Sequence, residues 1–438
     1  MVRKWDVSLR VRPEVSLLPL VVGCAEKAAL AFGLDEPEAL SITVATEEIF
    51  TYLVRAAAPD KEMEICFRRG GYYVEEQFTF EAEGFNMKAF NLTVAASLNG
   101  EQDLEETGLL IASRMVDRFK FSQSDEGLRL TLAKEKAYPE ISEIRAPEVP
   151  PLRAYAIRSP EMEEVKTFVH LVNRFYGNAV IPGIFRYPGK LVDMVASKDW
   201  ATRVVADREG RVGGGVIWKR VSEGTVEWFG PYLFNQPEAS LMSKALVDSC
   251  IEALARSGVQ SLITRFPTPE LPKDYFERLG SVTLSPKEGQ GVELEAYFRH
   301  LGEDLGCGVW SHPLIEPFLS EEYRRLFFAR EIHPVKDEGE TQSSFSVLSA
   351  EFDRSIGSVT LRPIWWGTDA SQMLASYVDV LLREAATCIL FEIDLGRPWH
   401  SYFVPTLFEN GFEPRLVLPL SAKGDVVVFQ HSMDARTS

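Results

Sequence analysis

The strongest constraint on the fold is a repeat in the C-terminal two thirds of the chain. Three groups of residues recur at a separation of 131 positions, so that 248 corresponds to 379, 280 to 411 and 300 to 431. The groups are Val247-Asp248 with Val378-Asp379, Gly280 with Gly411, and Phe298-Arg299-His300 with Phe429-Gln430-His431. Self-similarity at a domain-sized period indicates duplication of a whole folding unit rather than a solenoid of short repeats. We therefore expect two copies of one fold, ending near His300 and His431.

A proline-rich segment separates this repeated region from the N-terminus. Four prolines lie within residues 138–151, and proline interrupts a helix, so this stretch is expected to be a linker. At 438 residues the chain is too long for one core, since single cores stop growing beyond about 250–300 residues. We predict an N-terminal domain at 1–137, the linker at 138–151, and two related domains at 152–302 and 303–438.

Charge and composition restrict the classes of partner. The chain carries 47 Lys and Arg against 64 Asp and Glu, a formal net charge of −17, which argues against binding to nucleic acid. The longest uncharged run, residues 89–100, is shorter than the roughly 20 residues of a membrane helix. The five cysteines form no Cys-x-x-Cys pair, and the six histidines form no His-x-x-x-His pair. We expect a cytoplasmic protein with reduced thiols, no metal site and no membrane partner.

The N-terminal domain has a mixed pattern of helices and strands. A strand at 5–12 precedes helices at 15–32 and 35–57, a hairpin around Gly70-Gly71, a helix at 109–119 and a strand at 127–133. With the helix stretch Thr46–Tyr52 and the late stretch Thr107–Phe119, this order resembles the anti-sigma-factor type of the histidine-kinase-like ATPase fold.

That resemblance implies a remnant nucleotide site. It places Glu48 at the family's water- or substrate-positioning glutamate, Gly84 in the adenine-binding motif and Gly108 in the glycine-rich lid. Tyr52 stands where the family has a magnesium-binding asparagine, and a phenol is a poor Mg²⁺ ligand. Phe80 replaces the adenine-reading aspartate. We therefore expect no ATP–Mg²⁺ binding, and a domain that docks a regulatory protein partner.

The middle segment has the element order of another family. A two-strand turn at 204–214 precedes a strand at 226–230, a helix at 238–256 with Asn235 as its predicted cap, a strand at 261–265, and Tyr275–Gly280 near a last helix. This segment resembles the GNAT-type N-acetyltransferases, and the C-terminal segment resembles a second, more diverged copy. The expected fold class is α+β multidomain: a histidine-kinase-like α/β sandwich followed by two GNAT-like α/β domains related by duplication.

The GNAT resemblance implies a coenzyme A site at the start of the 238–256 helix. Such enzymes hold the pyrophosphate on backbone amides of a glycine-rich loop at a helix N-terminus. The corresponding contacts here are Gln236, Ala239 and Ser240, although Ala239 replaces a glycine. The resemblance also offers Glu227 as a water-mediated base and Tyr275 as an acid. A structural carboxylate and a packing aromatic are the alternatives for these two residues.

Three functions remain open from the sequence. The first is a regulatory or ligand-sensing cytoplasmic protein that binds a small molecule or an acyl-CoA, because the signature motifs of both families are eroded. The second is an active acyl-CoA-dependent N-acyltransferase that the N-terminal domain regulates. The third is an anti-sigma-factor serine kinase.

Overall fold

A computed structural model of the chain describes residues 5–57, 60–81, 91, 104–124, 127–141, 149–177, 181–285, 291–336, 343–353 and 356–432. Residue contacts divide the chain into two compact units, Met1–Tyr138 and Pro139–Ser438. None of the helices in the described ranges combines the length and the apolar character needed to cross a membrane.

In its described residues, the N-terminal unit has a five-stranded antiparallel sheet and three α-helices. Its sheet order is β1-β2-β3-β5-β4. In chain order, the elements are β1 (Val7–Val11), α1 (Leu18–Ala31), α2 (Glu36–Ala56), β2 (Met63–Arg69), β3 (Tyr73–Phe80), α3 (Leu104–Met115), β4 (Arg118–Ser124) and β5 (Gly127–Glu135).

Local sequence explains the longest helix of this unit. Pro37 lies in the first turn of α2, where its missing N–H costs nothing, and the acidic residues Glu36 and Glu38 favour the helix N-terminus. Asp35 is at the predicted cap position, but its side chain makes no capping hydrogen bond. The predicted helix at 109–119 begins earlier, at Leu104, and ends at Met115 because β4 starts three residues later.

The first half of the second unit is built on a seven-stranded sheet. Its order is β11-β12-β10-β9-β8-β7-β6; β9 and β10 pair in parallel, and the other neighbours pair antiparallel. The elements are β6 (Ala156–Arg158), α4 (Met162–Phe175), α5 (Pro188–Ala196), β7 (Trp200–Ala206), β8 (Val212–Arg220), β9 (Thr225–Leu233), α6 (Ala239–Leu254), β10 (Ser261–Thr264), β11 (Glu277–Leu284) and β12 (Val292–His300).

The second half carries a separate five-stranded sheet in the order β15-β16-β17-β19-β18, in which β16 and β17 are parallel. A small parallel pair, β13 with β14, precedes it. The elements are β13 (Cys307–Ser311), α7 (Glu316–Arg325), β14 (Arg330–Pro334), β15 (Val347–Asp353), β16 (Ser358–Trp365), α8 (Ala370–Arg383), β17 (Cys388–Asp394), α9 (Phe403–Glu409), β18 (Phe412–Leu418) and β19 (Val426–His431).

Five strands follow the same order in both halves. The series β8-β9-β10-β12-β11 corresponds to β15-β16-β17-β19-β18, with the parallel pair at the same place. The helices that connect the parallel strands begin at Ala239 and Ala370, at the predicted separation of 131 residues. The pairing of Gly280 with Gly411 fails, because Gly280 lies inside β11 opposite Ala296 whereas Gly411 precedes β18.

Hydrogen bonds join the two sheets into one unit. The Gln430 side chain on β19 accepts from Thr283 N at 3.0 Å and donates to Thr283 O at 2.6 Å. Beside them, Ser285 N donates to Thr387 O at 2.9 Å. Hydrogen bonds from the backbone of residues 283 and 285 therefore hold the edge strand β11 against the C-terminal half.

Candidate functional site

A cavity of about 290 Å³ lies where β9 ends and α6 begins. β9 ends at Leu233 and α6 begins six residues later, so backbone groups of both elements lie close together there. The lining residues are Pro151, Leu233, Asn235, Gln236, Pro237, Ala239 and Glu270. Two of the three predicted coenzyme contacts, Gln236 and Ala239, therefore lie together at this cavity, and exposed Ser240 is the next residue of the helix.

The N-terminus of α6 is not capped by a side chain of the described residues. Glu238 occupies the cap position with φ −96° and makes no side-chain capping hydrogen bond. The predicted cap, Asn235, lies outside the helix in the left-handed region at φ 53°, and its amide donates to Val149 O at 3.1 Å instead. Uncapped N–H groups at a helix start attract anions, so this end of α6 suits a phosphate or a carboxylate.

Gln236 is occupied by bonds within the chain. Its side-chain nitrogen donates to Phe234 O at 2.7 Å, and its oxygen accepts from Leu152 N at 2.9 Å. The residue is only 9% exposed. In this conformation its carboxamide helps to build the cavity and is fixed by the chain at both its nitrogen and its oxygen.

Glu227, the predicted base, is held in a network of ion pairs. It lies on β9 with 1% exposure; Arg265 Nε is 2.7 Å from its Oε1, and Lys219 Nζ is 3.4 Å from its Oε2. Burial works to raise the pKa of Glu227, but attraction to Arg265 and Lys219, with hydrogen bonds from both, lowers it to about 2. A carboxylate with so low a pKa is a weak proton acceptor at neutral pH.

The ion pairs continue into the C-terminal half. Arg265 also contacts Glu392 on β17 at 3.2 Å, and Glu392 accepts from Arg362 on β16 at 2.6 Å. Arg362 in turn pairs with the exposed Glu351 at 2.6 Å. The chain of alternating charges therefore bridges the parallel strand pairs of both sheets.

Tyr275, the predicted acid, belongs to a 3-10 turn at Lys273–Tyr275. The expected last helix does not form in this described segment, and β11 begins two residues later, at Glu277. Its ring lies near two cations, 5.2 Å from Lys244 Nζ and 5.0 Å from Arg299 Cζ. Tyr275 packs on the core cluster that contains Trp228 and the residues of α6. Since side chains alternate along β9, Glu227 leaves the opposite face from Trp228. The structure does not bring Glu227 and Tyr275 together on one face.

Glu270 Oε2, in the cavity lining, is a buried atom that finds no hydrogen-bond partner among the described residues. The same holds for Trp228 Nε1, Ser243 Oγ and Thr264 Oγ1 on the adjoining elements. Trp228 lies on β9, Thr264 ends the neighbouring parallel strand β10, and Ser243 is in the second turn of α6. Buried polar groups normally have partners, so each of these atoms has the capacity to bind a further polar group or water. Sequence analysis missed them, because unpartnered atoms have no sequence signature.

Tyr176 was also missed as an individual residue. Its hydroxyl accepts from Leu233 N at 2.7 Å and donates to Leu233 O at 3.2 Å. The phenol thereby covers both backbone groups of the last residue of β9. The signal in the sequence was the aromatic, glycine-rich stretch 175–189, of which residues 178–180 lie outside the described ranges.

The equivalent helix start in the C-terminal half is closed by the chain. Ser346 N donates to Asp369 Oδ1 at 2.6 Å, and Gly367 N donates to Ser346 Oγ at 2.9 Å. A Cβ on Gly367 would collide with the backbone of Phe345. The segment before β15 therefore fills the position that is a cavity at α6.

The predicted nucleotide-site residues of the N-terminal unit form a helix contact. Gly108 lies inside α3 and not in a lid loop, and a Cβ there would collide with the Glu48 carboxylate on α2. Gly84 lies outside the described residues. Phe80, at the position expected for an adenine-reading aspartate, is buried at the end of β3. Glu48 and Gly108 are thus together, but through the packing of two helices.

No group of three or more His, Cys, Asp or Glu side chains in the described parts of the chain is placed to hold a metal ion. The five cysteines are unpaired thiols. Burial raises the pKa of Cys250 to about 12, and burial raises the pKa of Cys388 to about 12 as well. Neither thiol is therefore set up as a nucleophile.

Solved structures of GNAT acetyltransferases match about a third of the chain. A phosphinothricin acetyltransferase from Sinorhizobium meliloti in complex with AcCoA is 17% identical over 34% of this chain and 89% of that chain, with a TM-score of 0.29. A putative acetyltransferase from Salmonella typhimurium with acetyl-CoA is 14% identical over 34% and 95%, with a TM-score of 0.30. An N-acetyltransferase from Escherichia coli in complex with CoA is 19% identical over 36% and 87%, with a TM-score of 0.26.

No family model matches the chain, and no curated protein matches it. At the TM-scores above, the likeness decides neither an activity nor a ligand for this chain. These acetyltransferase structures also lend no support to the histidine-kinase-like resemblance of the N-terminal unit.

Proposed function

We propose that this chain is a ligand-sensing regulatory protein that binds a CoA-type ligand at the α6 cavity without transferring its acyl group. The observation that carries this proposal is the state of Glu227. A base for acyl transfer needs a pKa near the working pH, whereas Arg265 and Lys219 hold the pKa of Glu227 at about 2. The same ion pairs leave its carboxylate 1% exposed, so an amine substrate has little access to it.

The ligand class follows from the chemistry of the cavity. Uncapped N–H groups of α6 favour phosphate oxygens, and the exposed Ser240 adds a hydroxyl donor in the first turn. Glu238 and Glu270 oppose an anion, so we expect binding weaker than that of an enzyme with a glycine-rich loop.

An active acyltransferase is the second candidate. It is favoured by the cavity at the end of the parallel pair β9–β10 and by Tyr275, which lies on the α6 side of the sheet. It requires a base other than ion-paired Glu227. For the regulatory function, the N-terminal unit would dock a protein partner and bind no ATP–Mg²⁺. We further infer that the two halves of the second unit arose by duplication, supported by their shared strand order.

Calorimetric titration of the full chain with CoA and acetyl-CoA tests the site. We expect saturable binding of both, and a loss of about 2- to 10-fold in affinity in Ser240→Glu, which places a charge beside the bound phosphates. The matched control is Ala253→Glu in the last turn of α6. The two positions are about 20 Å apart at 1.5 Å per residue, beyond the screening length of about 8 Å at physiological salt.

Release of free thiol from acetyl-CoA then separates the two candidate functions. Binding without thiol release over a panel of primary amines supports the sensor. Amine-dependent release that is reduced in Tyr275→Phe would replace the sensor by the acyltransferase. Absence of binding by either ligand would exclude both functions at this cavity.

A further inference from the structure

The loop between β9 and α6 holds a short segment of the chain against the cavity. Asn235 Nδ2 donates to Val149 O at 3.1 Å, and Leu152 N donates to Gln236 Oε1 at 2.9 Å. Pro151, between these two contacts, lines the cavity. Residues 149–152, which we call the strap, therefore form one wall of the candidate site.

The strap is anchored in the core by one side chain. Leu152 is 7% exposed and belongs to the apolar cluster that also contains Met242 and Leu246 of α6. Gly213 on β8 makes room for it, because a Cβ at that position would lie 2.7 Å from Leu152 Cδ1 and 3.2 Å from the Gln236 carboxamide. The strap is thus a packed element, and its release has a cost in free energy.

The two residues that hold the strap carry the amide side chains of the loop between β9 and α6. Asn235 is in the left-handed region at φ 53°, which asparagine tolerates better than most residues. The side-chain oxygen of Gln236 accepts a hydrogen bond from Leu152 of the strap. Both amides therefore hold the strap against the cavity.

We propose that the strap is an autoinhibitory element that restricts access to the cavity and is held there by Asn235 and Gln236. This proposal rests on the proposed CoA site and adds its regulation. While the strap is bound, Pro151 forms part of the cavity wall, and release of the strap opens this wall. The strap shares residues 149–151 with the proline-rich segment 138–151, so a regulator acting on that segment controls access to the cavity.

Loosening the strap should raise the affinity for CoA. Asn235→Gly removes the bond to Val149, and glycine accepts the left-handed backbone without strain. The matched control is Arg256→Gly, which puts glycine at a left-handed position, φ 80°, just beyond the other end of α6. We would measure CoA affinity by calorimetry and the exchange rate of the Leu152 amide by hydrogen–deuterium exchange in the full chain.

In Asn235→Gly we expect faster exchange at Leu152 and CoA binding about 2- to 10-fold tighter, the range for one hydrogen bond of ordinary net strength. Added CoA should also accelerate this exchange in the wild-type chain, and Arg256→Gly should match wild type. If wild type binds CoA and Asn235→Gly binds it equally or more weakly, the strap is not autoinhibitory, whereas the proposed CoA site is still supported. If neither wild type nor the two variants bind CoA, the proposed CoA site is wrong, and the strap proposal, which rests on it, is wrong as well.

Discussion

Arg265, directly after β10, donates to the Glu227 carboxylate on β9 at a distance of 2.7 Å between Nε and Oε1. The same guanidinium reaches Glu392 in the other sheet at 3.2 Å, so one arginine neutralises carboxylates from both halves of the second unit. Because Glu227 is buried, its charge depends on this partner and on Lys219. Glu227, which the GNAT resemblance offers as a base, is therefore part of the interface between the two sheets.

Removing Arg265 should destabilise the second unit strongly. Arg265→Met leaves the buried Glu227 carboxylate with Lys219 at 3.4 Å as its remaining cation, and breaking a buried ion pair typically costs about 3–5 kcal/mol of unfolding free energy. Urea unfolding measures this loss. The double variant Glu227→Gln/Arg265→Met removes both charges and should recover much of it. Arg10→Met, which breaks an exposed pair with Glu64, should cost below about 1 kcal/mol. A double variant as unstable as Arg265→Met would contradict this account.

Glu227 should also make the chain sensitive to acid. Its folded-state pKa of about 2 lies below the ordinary value of 4.5, so its contribution to stability is present above pH 4.5 and is lost as the pH falls towards 2. The shift corresponds to about 3 kcal/mol at 1.36 kcal/mol per pH unit. Unfolding free energies of wild type and Glu227→Gln between pH 6 and 3 test this. Parallel pH profiles for the two proteins would rule out the role of Glu227.

The N-terminal unit should show the opposite dependence because of Glu76. This carboxyl on β3 is fully buried and accepts from Thr46 Oγ1 at 2.8 Å. Burial raises the pKa of Glu76 to about 8, although the Thr46 hydrogen bond lowers it. Its stabilising contribution is complete below pH 4.5 and is lost as the pH rises to about 8, by about 5 kcal/mol at most.

Amide exchange of β3 in the full chain between pH 5 and 8.5, corrected for intrinsic rates, measures that loss. Glu76→Gln keeps the shape and removes the charge, so its protection should fall far less than that of wild type over this range. Glu47→Gln, at an exposed position of α2, should behave as wild type. Equal pH dependence in wild type and Glu76→Gln would show that Glu76 does not titrate in this way.

The glycines of β8 should tolerate no side chain where they meet α4. A Cβ on Gly215 would lie 2.7 Å from Arg203 O and 2.9 Å from Phe168 Cε2. Gly215→Ala should therefore cost about 1–3 kcal/mol by overpacking, measured by urea unfolding. Gly177 has no atom within 4 Å of the equivalent position, so Gly177→Ala should be close to neutral. Similar losses in both variants would indicate a general effect of the backbone and not a steric one.

The elements that sequence reasoning located are those with a local cause. The hairpin at Gly70-Gly71 forms because two alternating strands flank a turn, and Gly70 N donates to Tyr73 O at 2.8 Å. The repeat predicted the start of α8 from that of α6, since both helices connect parallel strands of the same sheet order. The repeat wrongly paired Gly280 with Gly411, because two glycines 131 residues apart need not lie at equivalent places in their strands.

The helix start near the candidate site could be predicted from the sequence, because strand and helix periodicity bound that loop on both sides, and α6 begins at Ala239. The coenzyme contacts Gln236, Ala239 and Ser240 came from the GNAT resemblance and stay a prediction. The sequence could not reveal that Leu152, 84 positions earlier, takes the Gln236 oxygen, since this contact depends on how the strap returns to α6. Tyr176 and the buried Ser243 hydroxyl were missed for the same reason.

The sequence by itself determined the acidic character, the proline-rich boundary and the 131-residue repeat, because these depend on composition and on short-range order along the chain. Only the tertiary structure decided that Glu227 is a charge-neutralised interface residue and that the cavity at α6 is walled by the strap. Both depend on groups far apart in sequence: Glu227 and Glu392 share Arg265 because two sheets pack together. Ionisation and access follow from such neighbours, and neighbours are set by the fold.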